Sequence, residues 1–354
     1  MTLRSLPLAP RPYAGEALSS WVRRIAARYD IRADDLLTHV LDWRRSTVGA
    51  ASRLDYQADP ELEAALAAAA RVAPATISHL RAAGGVGSSA CWQRTIVAWC
   101  PECIRTDLAQ RGEVYERAIW RLGCCVVCPE HKVQLEDTCR RCSFDDRCHF
   151  ECADGLLRLV CNSCTRPVDP ARRPKRGWWD DGRAGAFGAC ASPLLTRLVG
   201  TLQTDLQAAL AGSRPRRAWG FVRSAEGLVT AVLDLTLCLV FATGVRCEPR
   251  IIVPEWRPGE PFAPAREPIT PAALSAYAGY GVLAIAAAAL RSLEGRGQRH
   301  HWRPDGDKVR MDMSSFVAWL PAGIRRWLGS RSATWEPPAG DAVRTVIAAV
   351  ERAG

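Results

Sequence analysis

Cys100-Pro101-Glu102-Cys103, Cys128-Pro129-Glu130-His131, Cys139-Arg140-Arg141-Cys142 and Cys161-Asn162-Ser163-Cys164 are four pairs of metal-ligating side chains, the two members of each pair separated by two residues. Such a pair on a tight turn puts both ligands on one side of an ion, and two turns brought together complete a tetrahedron. The first two pairs are 24 residues apart and the last two 18 residues apart, the second gap falling within the usual range for a four-cysteine zinc site. Pro101 and Pro129 stiffen the first two turns. Thiolate and imidazole in tetrahedral number suit Zn2+, with an iron–sulfur cluster as the alternative for four cysteines. Each quartet is complete, which predicts two structural Zn2+ ions. A catalytic zinc instead keeps one position open for water. Nearby thiols leave the ligand sets open: Cys124 or Cys125 can compete with Cys128, and Cys148 or Cys152 can replace a member of the second quartet.

Residues 91–169 hold 12 of the 15 cysteines in this 354-residue chain, so a zinc-finger segment is bounded on both sides by different sequence. Before it, Leu18, Trp21, Val22, Ile25 and Ala26 recur at helical spacing, as do Leu36, Leu37, Val40 and Leu41. Asp59 followed by Pro60 marks a helix start, and the alanine-rich stretch from Glu61 to Arg71 sustains the helix until Pro74. A second short helix is expected over Thr76–Arg81, giving a helix-turn-helix. After the cysteine segment, helical patterns recur over Leu194–Leu210, Val222–Phe241, Ala272–Leu293 and Ser314–Leu328. They are separated by stretches rich in Pro, Gly and Arg. The expected fold is mainly α with small zinc-finger β elements. Residues 1–90 form an N-terminal helix-turn-helix domain, 91–169 a tandem zinc-finger domain and 170–354 a basic helical C-terminal domain.

The formal net charge of +10 is unevenly placed: residues 1–90 carry +2, residues 91–169 carry −1 and residues 170–354 carry +9. Such an excess suits a polyanion, because phosphate contacts release counterions. It comes in clusters that include tryptophan: Arg172, Arg173, Lys175 and Arg176 with Trp178 and Trp179; Arg214, Arg216 and Arg217 with Trp219; Arg299 and Arg303 with Trp302; Arg325 and Arg326 with Trp327. Arginine binds phosphate bidentately and stacks on aromatic faces, so these positions are the candidate DNA contacts. The competing explanation is that the tryptophans anchor the core and the arginines are merely solvated.

No P-loop, HExxH or GxSxG pattern occurs, and an enzyme is not expected. The opening residues, Met1 to Pro12, lack the apolar core of a secretory signal. Reduced thiols and a cytoplasmic location are therefore expected. The apolar run Leu228–Val245 approaches spanning length but has Asp234 near its centre, which favours a buried helix over a membrane span.

From Val97 to Cys164 the order is Trp99-Cys100-Pro101-x-Cys103, Tyr115, Trp120-Arg121-Leu122, Cys128-Pro129-x-His131, Leu135 and Cys139-x-x-Cys142. This resembles the TniQ/TnsD family of transposon target-selection proteins. The opening segment, with Leu6-Pro7-Leu8, Gly15-Glu16 and Leu18-Ser19-Ser20-Trp21, is similar as well. The likeness covers roughly residues 6–168. It departs at the Cys124-Cys125 pair and at the absent proline after Cys139. The resemblance implies a non-enzymatic adaptor that selects or marks a DNA target and recruits an AAA+ ATPase regulator, and through it a DDE transposase. In some branches such an adaptor acts with a CRISPR surveillance complex or as a homodimer. It assigns ligand roles to Cys100, Cys103, Cys128, His131, Cys139, Cys142, Cys161 and Cys164. The rival class is a zinc-containing helix-turn-helix transcription regulator, which would bind palindromic half-sites.

Overall fold

The computed structural model describes residues 5–40, 54–56, 59–81, 89–139, 141–142, 147–171, 193–243, 271, 274, 276–294, 300–301, 308–309 and 312–353. It is mostly helical with two small antiparallel ladders. The residues group into two units rather than along the three sequence segments. One unit gathers Met1–Gly84, Gln93–Leu122 and Leu135–Pro174; the other gathers Gly85–Trp92, Gly123–Gln134 and Lys175–Gly354.

In the first unit, helix α1 (Leu18–Arg28) buries Leu18, Trp21, Val22, Ile25 and Ala26, the apolar stripe expected from its spacing. A short turn of helix, α2 (Ala33–Asp35), runs into a π-helical turn at Leu36–Val40 that buries Leu36 and Leu37. Leu41 lies outside the described residues. Helix α3 (Pro60–Ala70) begins where expected: the Asp59 carboxylate accepts the Leu62 N–H at 3.1 Å, and Pro60 needs no donor there. It ends at Arg71, whose left-handed backbone (φ 55°) turns the chain into α4 (Pro74–Ser78). The second helix of the hairpin is five residues long and starts earlier than expected. Proline at its first position opens it, and Leu80 is drawn back to accept the Leu18 N–H at 3.0 Å. Leu62, Leu66, Ile77 and Leu80 share one core with α1 and Leu54.

The opposite face of α1 is buried too, and it is polar. Ser19, Ser20 and Arg24 are buried there, which is why residues 1–84 and the cysteine-rich segments of this unit form one body. Helix α5 (Pro101–Arg111) ends at Gly112 in the left-handed region (φ 67°), the usual helix stop. Strands β1 (Cys148–Ala153) and β2 (Leu156–Cys161) form a hairpin in which Cys148 faces Cys161 and Ala153 faces Leu156. Its two-residue loop, Asp154-Gly155, has φ values of 51° and 70°, the mirror-image turn that matches strand twist.

In the second unit, α6 (Pro193–Leu210), α7 (Ala225–Thr243) and α8 (Ala276–Leu293) pack on one another. They are followed by α9 (Met313–Trp319), α10 (Ala322–Ser332) and α11 (Pro337–Ala353). The expected helix over Ser314–Leu328 is two helices, because Pro321 cannot continue the first. Helix α11 was not expected. Its Gly340 is needed, since a Cβ there would lie 2.2 Å from the Ser332 carbonyl oxygen. By length and composition α7 could cross a membrane, but Leu228, Val229, Val232, Leu235 and Leu239 are fully buried within the protein. Asp234 is buried on it as expected. Its carboxylate accepts Arg331 Nε at 3.0 Å and Trp335 Nε1 at 2.8 Å.

Candidate metal centres

Cys100 is the N-cap of α5 and Cys103 lies in its first turn. The helix N-terminus carries partial positive charge, which favours thiolate over thiol. Trp99, just ahead, exchanges both backbone hydrogen bonds with Glu136, at 2.7 and 2.8 Å. The second half is a turn closed on Cys128, whose N–H donates to the Val133 carbonyl at 2.7 Å and whose carbonyl accepts from Lys132 at 2.9 Å. Lys132 is left-handed (φ 56°). Gln203 of α6 grips the approach to this turn. Its carbonyl oxygen accepts the Val126 and Val127 N–H groups at 2.9 Å each, and its amide donates to the Val127 carbonyl at 2.8 Å.

The second site repeats the turn. Cys161 N–H donates to the Arg166 carbonyl at 3.1 Å, its carbonyl accepts from Thr165 at 3.0 Å, and Thr165 is left-handed (φ 53°). The β1–β2 hairpin connects the two cysteine pairs and delivers Cys161 from the end of β2.

The structure brings together Cys100, Cys103, Cys128 and His131 in one group and Cys139, Cys142, Cys161 and Cys164 in another, the ligand atoms of each group within 4.8 Å of one another. The spacing fits zinc. Bonds of 2.3 Å to sulfur and 2.0–2.1 Å to nitrogen make tetrahedron edges of about 3.8 Å between sulfurs and about 3.5 Å between sulfur and nitrogen. Cys161 Sγ is 3.8 Å from Cys142 Sγ, and Cys128 Sγ is 3.6 Å from His131 Nδ1. Backbone N–H groups also aim at ligand sulfurs: His131 N–H at Cys128 (3.5 Å) and Arg141 N–H at Cys139 (3.4 Å). This is how a turn steadies thiolate charge.

The sulfurs of the second group share protons unequally. Hydrogen bonding to Cys164, with burial next, pushes the Cys142 thiol above its ordinary range. Burial opposes ionisation of Cys164, but the Arg166 N–H and the neighbouring thiols outweigh it and lower that group to about 7. A divalent cation stabilises all four as thiolates.

The geometry settles the open ligand choices. Cys148 sits opposite Cys161 in the ladder and stays outside the group, and Cys152 donates to the Arg23 carbonyl at 3.2 Å. Cys124 and Cys125 are buried and belong to neither group. Cys238 is an ordinary buried thiol, as expected, pushed up chiefly by burial. Cys190 and Cys247 lie outside the described residues. With all four positions of each site filled by protein, the two sites can hold two structural Zn2+ ions.

A third set of buried groups was not foreseen. Arg24 pairs with Glu16 at 2.7 Å and with Glu113 at 3.1 Å, and Arg28 reaches the same Glu113 oxygen at 2.8 Å. Arg121 pairs with Asp55 at 3.1 Å and Glu116 at 3.2 Å. Ser19 donates its N–H and hydroxyl to Asp55 at 2.8 and 2.7 Å, while Ser20 joins Glu16 to the Glu116 N–H. Burial raises Glu16 to about 7 and Asp55 to about 6, against the lowering pull of Arg24 and Arg121 respectively. Glu16, Ser19, Ser20 and Arg121, which the sequence offered only as motif letters, are the parts of this ion-pair lattice.

Of the candidate DNA contacts, Arg214, Arg216 and Arg217 are exposed on the loop before Trp219. Trp219 itself is core: it is buried and donates Nε1 to Asp205 at 2.9 Å. Arg325 caps the end of α9, donating to the Leu320 carbonyl at 2.9 Å. Arg172, Arg173, Lys175, Arg176, Arg299 and Arg303 lie outside the described residues.

A mainly helical chain with two closed Cys/His tetrads belongs to the class of zinc-finger-type proteins whose metal organises structure. The family model described as TniQ matches residues 7–135, from ahead of α1 past the first tetrad, and the chain is a TniQ-family protein through that domain. The second tetrad lies beyond the matched stretch. No curated protein sequence matches the chain. A TniQ domain marks a non-catalytic, transposition-associated adaptor with a role in target selection.

Proposed function

We propose that the protein couples a DNA target to the transposition machinery, recruiting an AAA+ ATPase that in turn brings a DDE transposase. The carrying observation is the TniQ domain with both tetrads complete and no ligand position left for chemistry. The zinc ions would hold segments with little apolar core in fixed conformation, since ligation and folding are one equilibrium. DNA contact is assigned to Arg214, Arg216 and Arg217 through phosphates, with Arg172, Arg173, Lys175, Arg176, Arg299 and Arg303 as further sequence candidates. The α3–α4 hairpin is a second candidate surface, for DNA or for the ATPase; a homodimer or a CRISPR surveillance complex is a further candidate partner.

Pull-down with the ATPase encoded beside it tests the assignment. Capture that depends on DNA or nucleotide supports it. Failure to bind the ATPase, with a symmetric footprint on a palindrome, would make the protein a transcription regulator instead.

A further inference from the structure

The loop between α6 and α7 carries a strained aromatic residue at the edge of a basic cavity. Trp219 and Val222 exchange backbone hydrogen bonds at 3.1 Å each, closing a two-residue loop, Gly220-Phe221, with φ values of 59° and 71°. Gly220 is dictated by packing: a Cβ there would lie 2.7 Å from the Leu290 carbonyl oxygen, and its N–H donates to Glu294 at 3.0 Å. No such packing accounts for Phe221. A turn of this hand favours glycine at its second position, and a bulky residue with positive φ is an outlier whose strain the surroundings must sustain. They do so here through Asp205, which accepts the Arg216 N–H at 3.0 Å and Trp219 Nε1 at 2.9 Å. Yet the ring so held is 38% exposed.

Phe221 lines a cavity of about 550 Å³ with Arg217, Arg223 and Arg291. Arg223 also lines an adjoining cavity of about 410 Å³ with Arg214. Among the described residues, neither Arg217 nor Arg291 has a carboxylate within ion-pair distance. An exposed ring beside unpaired guanidinium groups offers a stacking face and phosphate partners together, the pairing of features that binds unstacked bases. Duplex DNA would meet the rim arginines without placing a base in the hollow.

We infer that this pocket binds an unpaired nucleotide, its base stacked on Phe221 and its phosphates on Arg217 and Arg291. The inference rests on the nucleic-acid role proposed above and gives it a second, single-strand-specific contact.

The test uses the full zinc-loaded chain and fluorescence anisotropy with three labelled probes: a thymidine oligonucleotide of about 15 nucleotides, its uridine RNA counterpart, and a DNA duplex of the same length. Phe221→Gly removes the ring at a backbone that suits glycine, so the fold is kept; Phe221→Tyr retains the ring. Phe221→Gly should weaken single-strand binding on the order of tenfold, with duplex binding unchanged and Phe221→Tyr near wild type. Equal loss on the DNA and RNA strands supports a pocket for either, and loss on one alone names the source. Single-strand affinity indifferent to Phe221→Gly overturns the pocket while leaving duplex binding, and hence the adaptor role, intact. No binding of any probe by wild type overturns both.

Discussion

Arg24 Nη1 lies 2.7 Å from Glu16 Oε2, with both side chains essentially buried. The pair sits on the polar face of α1 and ties it to Glu113. Removing one partner of such a pair leaves an uncompensated charge. Arg24→Met should therefore cost about 3–5 kcal/mol at neutral pH, read as a lower denaturation midpoint in urea. A cost under about 1 kcal/mol would mean the lattice is not structural.

Glu16 links stability to pH. Its folded value, about 7, is above the ordinary 4.5, so the folded protein holds the proton more tightly than the unfolded chain. Its contribution is fully present below 4.5 and is lost as pH rises through about 7. Glu16→Gln mimics the protonated form at every pH. Wild type should gain on the variant as pH falls from about 8 to 5, by on the order of 3 kcal/mol. Because both proteins share the zinc ligands, metal loss at low pH cancels in the difference. Parallel melting curves across that range would contradict the assignment.

Zinc content should be two equivalents by elemental analysis. Cys100→Ser and Cys161→Ser should each remove one, and chelation should lower the melting temperature of wild type. A variant keeping both ions and its melting behaviour would exclude that cysteine as a ligand.

Gln203 holds the backbone ahead of Cys128 by three hydrogen bonds, at 2.8–2.9 Å. Gln203→Leu leaves the Val126 and Val127 N–H groups and the Val127 carbonyl without that partner in a buried place. It should cost about 1–3 kcal/mol and speed zinc release to a chromogenic chelator from the first site, not the second. Equal release rates at both sites would sever the link between Gln203 and the ligand turn.

Charge reversal at Arg216 and Arg217 should weaken duplex binding and flatten its dependence on salt, since each lost phosphate contact lowers the slope by about 0.9. An unchanged slope would place the duplex contact elsewhere.

The ligand sets were legible in the sequence because a two-residue spacing is a local constraint: one tight turn puts both atoms on one ion whatever surrounds it. The same holds for α1, α3 and the buried α7, whose apolar spacing or composition reports burial directly. Helix α11 has its apolar positions, Val343 and Ile347, at helical spacing, but they are sparse and interrupted by Gly340, whose reason is contact with Ser332 of α10.

Local order along the chain thus determined which side chains hold metal and which stripes turn inward. Three-dimensional packing alone decided that Glu16, Asp55, Glu113 and Glu116 would meet Arg24 and Arg121. It also decided that Trp219 would be an anchor and Phe221 the exposed ring. Charged partners up to 89 residues apart leave no periodicity to read. Whether an aromatic is buried depends on what stands against it, here Asp205 of α6, and a linear string does not contain that neighbour.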